Sequence, residues 1–251
     1  MTRTQEDRSP ASPPPLVVLV LGFLRTGLSM MPMALALRRR GFEARVVSQF
    51  NLHASIPDLA DALYPRVLAM RRVVARRTGC EPALHFVTHS MGGIVVRSML
   101  ARHSIEGLNR VVMLAPPNQG SRLAAYVHDE LLRFPWGSFD PLRKLLPGER
   151  GDCVGVGDVD AEIGIIAGGS ERSYAFPWSL GGLIHPEKFG ELSERTGGHD
   201  GAVGLDEVRM DLATDLLVVQ RSHTFMMAMP EVAEQAAHFL RRGRFKHAAS
   251  A

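Results

Sequence analysis

A serine with the surroundings of a nucleophile occurs in the segment T-H-S-M-G-G at residues 88–93. Before it lies the apolar run 83–87, and after it the helix-like run 94–100. These runs predict a strand that turns sharply into a helix at Ser90. A turn of this kind holds its serine in a strained conformation that presents the hydroxyl at the edge of the sheet. The usual sequence pattern of this strand-to-helix turn is G-x-S-x-G, and here Thr88 occupies the position of the first glycine. The alternative interpretation is that Ser90 only caps the following helix.

A serine hydroxyl is a weak nucleophile, so it needs a general base, and the base needs an orienting carboxylate. Among the histidines in the second half of the chain, the candidates for the base are His185, His199 and His223. His223 comes directly after the apolar run 216–220, which predicts the last strand. Loops that leave the C-terminal edge of a parallel strand are where ligands and catalytic groups gather. We therefore predict that His223 is the base.

The orienting carboxylate is expected on the loop before that strand, where the candidates are Asp200, Asp206, Asp211 and Asp215. Asp200 lies in the turn-rich run G-G-H-D-G-A-V, which can direct a carboxylate inward. Asp206 is the second choice, because Asp215 starts the last strand at the wrong end of the sheet and Asp211 has the character of a surface residue. The sequence thus favours Asp200 as the acid.

Apolar strand-like runs alternate with helical patterns along the chain. This alternation predicts an α/β fold, with a mainly parallel sheet and helices on both faces. Strands are predicted at 16–21, 44–50, 83–89, 110–115, 163–167 and 216–220, and helices at 28–40, 56–78, 91–103 and 231–242. No strand is predicted between residues 119 and 160, which form a candidate cap insertion. Its apolar side chains either line an acyl pocket or pack on the sheet as ordinary helix faces.

The composition is that of an ordinary globular protein of 251 residues with a net charge of +3. The arginines are scattered in helix-like runs without a recognition motif, so no nucleic-acid partner is expected. Cys80 and Cys153 match no metal spacing, and of a disulfide and two unpaired thiols we predict the thiols, in a reducing, cytoplasmic location. No apolar stretch reaches the roughly 18–20 residues of a membrane span. The polar, proline-rich residues 1–15 are predicted to be a disordered leader to one domain at 16–245.

Five stretches in order carry a resemblance to a known family: L-G-F at 21–23, H-S-M-G-G at 89–93, A-P-P-N-Q-G-S at 115–121, H-D-G at 199–201 and S-H-T at 222–224. On these stretches the chain resembles the α/β-hydrolase superfamily, specifically small serine esterases and lipases. The resemblance implies an α/β-hydrolase fold with a short helical cap. It also implies a catalytic triad of Ser90, Asp200 and His223, with no cofactor and no metal.

An oxyanion hole needs two backbone N–H groups, which we assign to Met91 at the start of a helix and Phe23 after the first strand. Leu21 stands where the family usually has a histidine that braces the oxyanion loop. Leu24, Phe134 and Trp136 are the predicted substrate-binding residues. The sequence predicts a carboxylic ester hydrolase that forms an acyl-enzyme and acts on a small-molecule ester. The alternatives are acyl transfer by the same residues and a catalytically weak binding protein.

Overall fold

The computed structural model describes residues 13–22, 26–48, 53–131, 142–153, 156–157, 159–169, 190–191 and 194–247. The described strands are β1 (Leu16–Val20), β2 (Glu43–Val47), β3 (Leu84–His89), β4 (Leu108–Leu114), β5 (Glu162–Gly168) and β6 (Ala213–Val219). The described α-helices are α1 (Met31–Arg38), α2 (Ile56–Thr78), α3 (Met91–Arg102), α4 (Arg122–Tyr126) and α5 (Pro230–Arg242). The strands form one sheet in the order β2-β1-β3-β4-β5-β6, and every neighbouring pair is parallel.

Both faces of the sheet are covered, as the continuous aliphatic strands lead one to expect. Successive residues of β1 contribute alternately to two apolar clusters, one on each face. Helices α2 and α3 pack into the cluster that contains Val18, and helices α1 and α5 pack into the cluster that contains Leu19. The predicted parallel sheet with helices on both faces is therefore confirmed.

The element boundaries differ from the predicted ones by a few residues. Helix α2 spans the predicted range in full, because Ser55 and Asp58 form a capping box at its start and Gly79, with φ 79°, ends it. The first helix begins later than predicted, since a 3-10 turn at Gly27–Met30 precedes α1. Strand β6 begins three residues earlier than predicted, because Ala213 already pairs with β5.

The candidate cap segment 119–160 contains short helical pieces where it is described. These are α4, a π-helical turn at Val127–Leu131 and 3-10 turns at Arg143–Leu145 and Gly148–Arg150. Residues 132–141 of this segment lie outside the described residues, as do residues 1–12 of the predicted leader. The cap and the leader therefore stay predictions.

Three further findings concern the described part of the chain. None of its helices combines the length and the apolar character that crossing a membrane requires. Both cysteines are free thiols, Cys80 exposed and Cys153 buried. No group of three or more metal-ligating side chains occurs within the described ranges.

Candidate active site

Ser90 lies at the turn between β3 and α3, with φ 55° and ψ −131°. A non-glycine residue in such a sparsely populated conformation costs on the order of 1–3 kcal/mol, and such residues cluster at functional sites. The Ser90 N–H donates to the Leu114 carbonyl of β4 at 2.8 Å, which fixes the strained residue to the neighbouring strand. The Ser90 side chain makes no capping hydrogen bond with α3. The geometry therefore matches a nucleophile elbow better than a simple helix cap.

Two glycines allow the chain to come close to this elbow. A Cβ atom on Gly92 would lie 2.5 Å from the Val20 carbonyl oxygen, so only glycine lets α3 start this near to β1. A Cβ atom on Gly22 would lie 2.7 Å from Ser90 Cβ and 3.3 Å from Ser90 Oγ. Gly22 thus lies directly against the serine, and the predicted oxyanion donor Phe23 follows it in the chain.

Thr88, which replaces the first glycine of the usual pattern, is fully buried in β3. A Cβ atom on Gly93 would lie 3.2 Å from Thr88 Oγ1 and 3.1 Å from Pro116 Cβ. The missing side chain at position 93 therefore provides the space that the threonine needs. The Thr88 hydroxyl has no hydrogen-bond partner among the described residues.

Asp200 and His223 form a buried pair at the same edge of the sheet. His223 Nδ1 lies 2.8 Å from Asp200 Oδ2, and the His223 N–H donates to the Asp200 carbonyl oxygen at 2.8 Å. The other carboxylate oxygen accepts the N–H groups of Ala202 and Val203 at 2.9 and 2.8 Å. A Cβ atom on Gly168, the last residue of β5, would lie 2.6 Å from Asp200 Cβ, so the aspartate sits at the C-terminal end of that strand.

The electrostatics favour an ionised Asp200 beside His223. Burial opposes ionisation of the Asp200 carboxyl, but the charge and hydrogen bond of His223 and the Val203 N–H together lower its pKa below the usual value. An ionised carboxylate only accepts hydrogen bonds, so His223 Nδ1 must be the donor. This arrangement leaves His223 Nε2 as the nitrogen that can accept a proton.

His89, the last residue of β3, connects the elbow to the loop that carries His223. Its ring Nε2 lies 2.9 Å from the His223 carbonyl oxygen and donates to it, since a carbonyl can only accept. The two imidazole rings lie 4.6 Å apart between centroids. Within the described residues no hydrogen bond joins the Ser90 hydroxyl to the His223 ring. Catalytic hydrogen bonds often tighten only when substrate binds, so a general base at His223 does not require this hydrogen bond in the free protein.

The remaining candidates for acid and base have other partners. The Asp206 carboxylate pairs with the Arg122 guanidinium at 2.8 Å, on the protein surface. Asp215 lies inside β6, where its carboxylate accepts the Phe245 N–H at 2.7 Å. Asp211 is exposed in the turn before β6.

His199 is buried, and its Nδ1 accepts the Gly201 N–H at 3.0 Å. Burial lowers the pKa of His199 below its ordinary value despite the neighbouring Asp200. His199 is therefore held neutral within the loop fold, and of the described histidines that follow residue 119 only His223 hydrogen-bonds Asp200 through its ring.

Leu21, where the family usually has a histidine, is buried in the apolar cluster that also contains Met30, Met33 and Met226. No polar brace can come from this side chain. The described contact next to Leu21 is instead the close approach of Gly22 to Ser90.

Several predicted site residues lie outside the described residues: Phe23, Leu24, Phe134, Trp136 and the alternative histidine His185. Of the two predicted oxyanion donors, Met91 is described, as the first residue of α3. Helix geometry leaves the first N–H groups of a helix, among them that of Met91, without an intrahelical acceptor.

Three residues that lie in or around this site were assigned no role by the sequence analysis. The His89 ring hydrogen-bonds the His223 carbonyl oxygen. Ala115, directly after β4, is the other described non-glycine residue with positive φ, at 44°. Glu207 is a buried carboxylate on the loop that also carries Asp200. The positions of His89 and Ala115 inside the family-like stretches were an available signal for both, whereas no local pattern marks Glu207.

The comparison with known proteins gives matches among solved structures alone. No protein-family model matches the chain, and no curated protein matches it. The mature form of Bacillus licheniformis lipase BlEst2 matches with a TM-score of 0.66 at 20% identity, covering 89% of this chain and 89% of the lipase. A metagenomic carboxyl esterase matches with a TM-score of 0.69 at 18% identity, covering 90% of this chain and 75% of the esterase.

A phospholipase and a protein linked to ring-cleavage share the same architecture. Phospholipase PlaB from Legionella pneumophila matches with a TM-score of 0.63 at 16% identity, covering 91% of this chain and 60% of the phospholipase. AqDC, whose structure concerns ring-cleavage of the Pseudomonas quinolone signal, matches with a TM-score of 0.53 at 13% identity, covering 92% of this chain and 93% of AqDC. At such identities the likeness establishes a shared fold and leaves the reaction open.

Proposed function

We propose that this chain, which has the α/β-hydrolase fold predicted from its sequence, is a serine hydrolase that cleaves carboxylic esters. One observation carries the proposal: a serine strained at φ 55° after β3, with a buried aspartate–histidine pair on the loops at the same sheet edge. The lipases and esterases among the structural matches support it.

In the proposed reaction, Ser90 Oγ attacks the ester carbonyl while His223 Nε2 takes the hydroxyl proton. The imidazolium that forms is stabilised by Asp200, whose carboxylate is already hydrogen-bonded to Nδ1 at 2.8 Å. His223 then gives its proton to the leaving alcohol, and an acyl-enzyme on Ser90 remains. Water, activated by His223 in the same way, releases the acid and restores the serine.

The negative charge on the carbonyl oxygen needs donors that are in place before the reaction. The Met91 N–H at the start of α3 is one proposed donor, and the dipole of that helix adds positive potential there. The Phe23 N–H is the second proposed donor. Its neighbour Gly22 lies against Ser90, which supports this assignment.

For the substrate we propose a neutral ester with a short or medium acyl chain, bound by Leu24, Phe134 and Trp136. This proposal comes from the short apolar segments to which these residues belong. The free thiols are the reason to propose a cytoplasmic site of action.

The test is hydrolysis of p-nitrophenyl esters of increasing chain length by the full chain and by Ser90→Ala. Loss of a serine nucleophile costs on the order of 10⁶-fold in kcat, so the variant should be inactive. Ser98→Ala is the matched control, because Ser98 is a buried serine on α3 outside the elbow. A Ser90→Ala protein that keeps more than roughly a tenth of the turnover would contradict the assignment. An added alcohol acceptor reveals acyl transfer, if an ester of that alcohol forms in place of the free acid.

A further inference from the structure

The position of His223 depends on the loop that carries Asp200, here called the acid loop (residues 196–208). A side-chain hydrogen bond and a backbone hydrogen bond, both of 2.8 Å, tie His223 to Asp200. Any displacement of the acid loop therefore moves the proposed base as well as the acid. What holds the acid loop in place is consequently part of the catalytic geometry.

Glu207, at the end of the acid loop, joins it to the start of α4. Its side chain is only 3% exposed. One carboxylate oxygen, Oε1, accepts the Arg122 N–H of α4 at 2.7 Å, and the other, Oε2, accepts the Gly204 N–H of the acid loop at 2.8 Å. The Glu207 carbonyl accepts the Gln119 N–H at 2.9 Å. The carboxylate thus bridges two segments that are distant in sequence, and it uses both of its oxygens to do so.

A neighbouring contact extends this connection to the helix that begins at the nucleophile. The Asn118 side chain donates to the Val208 carbonyl at 2.7 Å and accepts from the Arg97 guanidinium of α3 at 2.9 Å. The acid loop is therefore fixed on one side to the start of α4 through Glu207. On the other side it is fixed to α3, whose first residue follows Ser90.

We propose that the ionised carboxylate of Glu207 is a positioning group, which holds the acid loop so that Asp200 and His223 stay aligned with Ser90. The inference rests on the proposed function. Glu207 does not touch the reacting atoms, and it acts through the loop that carries Asp200.

The charge state of Glu207 matters because an ionised carboxylate accepts strongly at both oxygens. Protonation turns one oxygen into an O–H donor and a weaker acceptor, which weakens the hydrogen bond from one of the two N–H donors. The charged groups that face Glu207 are the Arg122 guanidinium of α4, at 3.6 Å, and the Asp206 carboxylate of the acid loop. Burial outweighs the two backbone donors and Arg122 and raises the pKa of Glu207 to about 7.

The shifted pKa also argues that this carboxylate is not retained for stability. The folded-state pKa lies above the ordinary value of 4.5, so the folded state binds the proton more tightly than the unfolded state does. Stability from this group is therefore present at acid pH and falls as the pH rises from about 4.5 to about 7. A carboxylate that is ionised at the expense of stability is typical of a functional role.

The kinetic test compares Glu207→Gln with Asp206→Asn. Glutamine keeps the shape but has one acceptor oxygen, so an amide N–H₂ must face an N–H donor. At about pH 8, kcat of Glu207→Gln should fall by about tenfold to a hundredfold, the scale of a misplacement near 1 Å. KM should change little. Asp206→Asn removes the adjacent exposed carboxylate that pairs with the same arginine, and it should behave as the wild type.

The pH profile separates positioning from a purely structural role. In the wild type, the acid limb of the kcat profile should include the ionisation of Glu207, near pH 7. In Glu207→Gln that ionisation should be absent, so the acid limb should be less steep. A variant with the wild-type kcat and the wild-type acid limb would overturn the proposal.

Hydrogen exchange on the wild-type chain gives a readout that needs neither a variant nor catalysis. Of the amides of Gly204 and Arg122, the one whose acceptor oxygen takes the proton should lose protection, after correction for intrinsic rates, between about pH 8 and about pH 6. The Ser90 amide, bonded to the Leu114 carbonyl, should not change. Unchanged protection at Gly204 and Arg122 would overturn the proposal. Absence of ester hydrolysis with the expected exchange pattern would count against the proposed function alone.

Discussion

Replacement of Gly22 by alanine should lower kcat strongly without unfolding the protein. The added Cβ would lie 2.7 Å from Ser90 Cβ and 2.8 Å from the His89 carbonyl oxygen, whereas carbon atoms in contact prefer about 3.5 Å. The methyl group and the elbow must therefore separate by about 0.8 Å, the difference between 3.5 and 2.7 Å. Gly22 does not have a positive φ, so alanine meets no backbone strain and the effect is steric.

A displacement of this size should lower kcat by about a hundredfold, because misplacements near 1 Å cost that much. Relief of the overlap should lower the free energy of unfolding by about 1–3 kcal/mol. The assay is steady-state ester hydrolysis together with urea unfolding. Gly190→Ala is the matched control, since no described atom lies within 4 Å of a Cβ at that position. A Gly22→Ala protein with wild-type kcat would refute the close approach of Gly22 to Ser90.

Three further predictions follow from burial and charge. Leu21→His should lower the free energy of unfolding by about 1–3 kcal/mol in urea titrations without raising kcat, because the imidazole would be buried in an apolar cluster. Burial, aided by the charge of Arg110, lowers the pKa of His85 from 6.5 to about 4, so the unfolded state binds the proton first. Stability should therefore fall by up to about 3 kcal/mol between pH 6.5 and 4, and His85→Phe should abolish this loss in melts across that range. Asp200→Asn should lower kcat by about 10⁴-fold in steady-state assays, whereas the control Asp206→Asn should keep the wild-type kcat.

The fold was accessible from the sequence because strands buried on both faces must be apolar throughout. The run that became β1 contains only leucine and valine, and the structure buries every residue of it. The end of α2 was equally local, since Gly79 adopts the left-handed conformation that stops a helix. The start of α1 was not, because the preceding 3-10 turn continues the same helical spacing of apolar residues.

The elbow and the aspartate–histidine pair were predictable to different degrees. Ser90 stands in a local pattern whose strain and glycines have a direct steric reason. The choice of Asp200 over Asp206 depended on turn residues alone, and the structure pairs Asp200 with His223 and Asp206 with Arg122.

The supporting contacts could not be predicted, because they join segments far apart in the chain. The hydrogen bond from His89 to the His223 carbonyl spans 134 residues, and that from Arg122 to Glu207 spans 85. Hydrophobic periodicity places strands and helices but does not specify which loops meet above the sheet. Glu207, an acidic residue in a polar loop, has the sequence character of a surface residue although it is buried.

The central claim is that Ser90 carries the acyl group, and trapping that intermediate tests it most directly. The wild-type chain would be mixed with a p-nitrophenyl ester or a fluorophosphonate, quenched and digested, and the modified peptide identified by mass spectrometry. We predict one adduct, on Ser90, that is absent from Ser90→Ala and still forms in Ser98→Ala. An adduct on any other residue, or labelling that survives in Ser90→Ala, would contradict the claim.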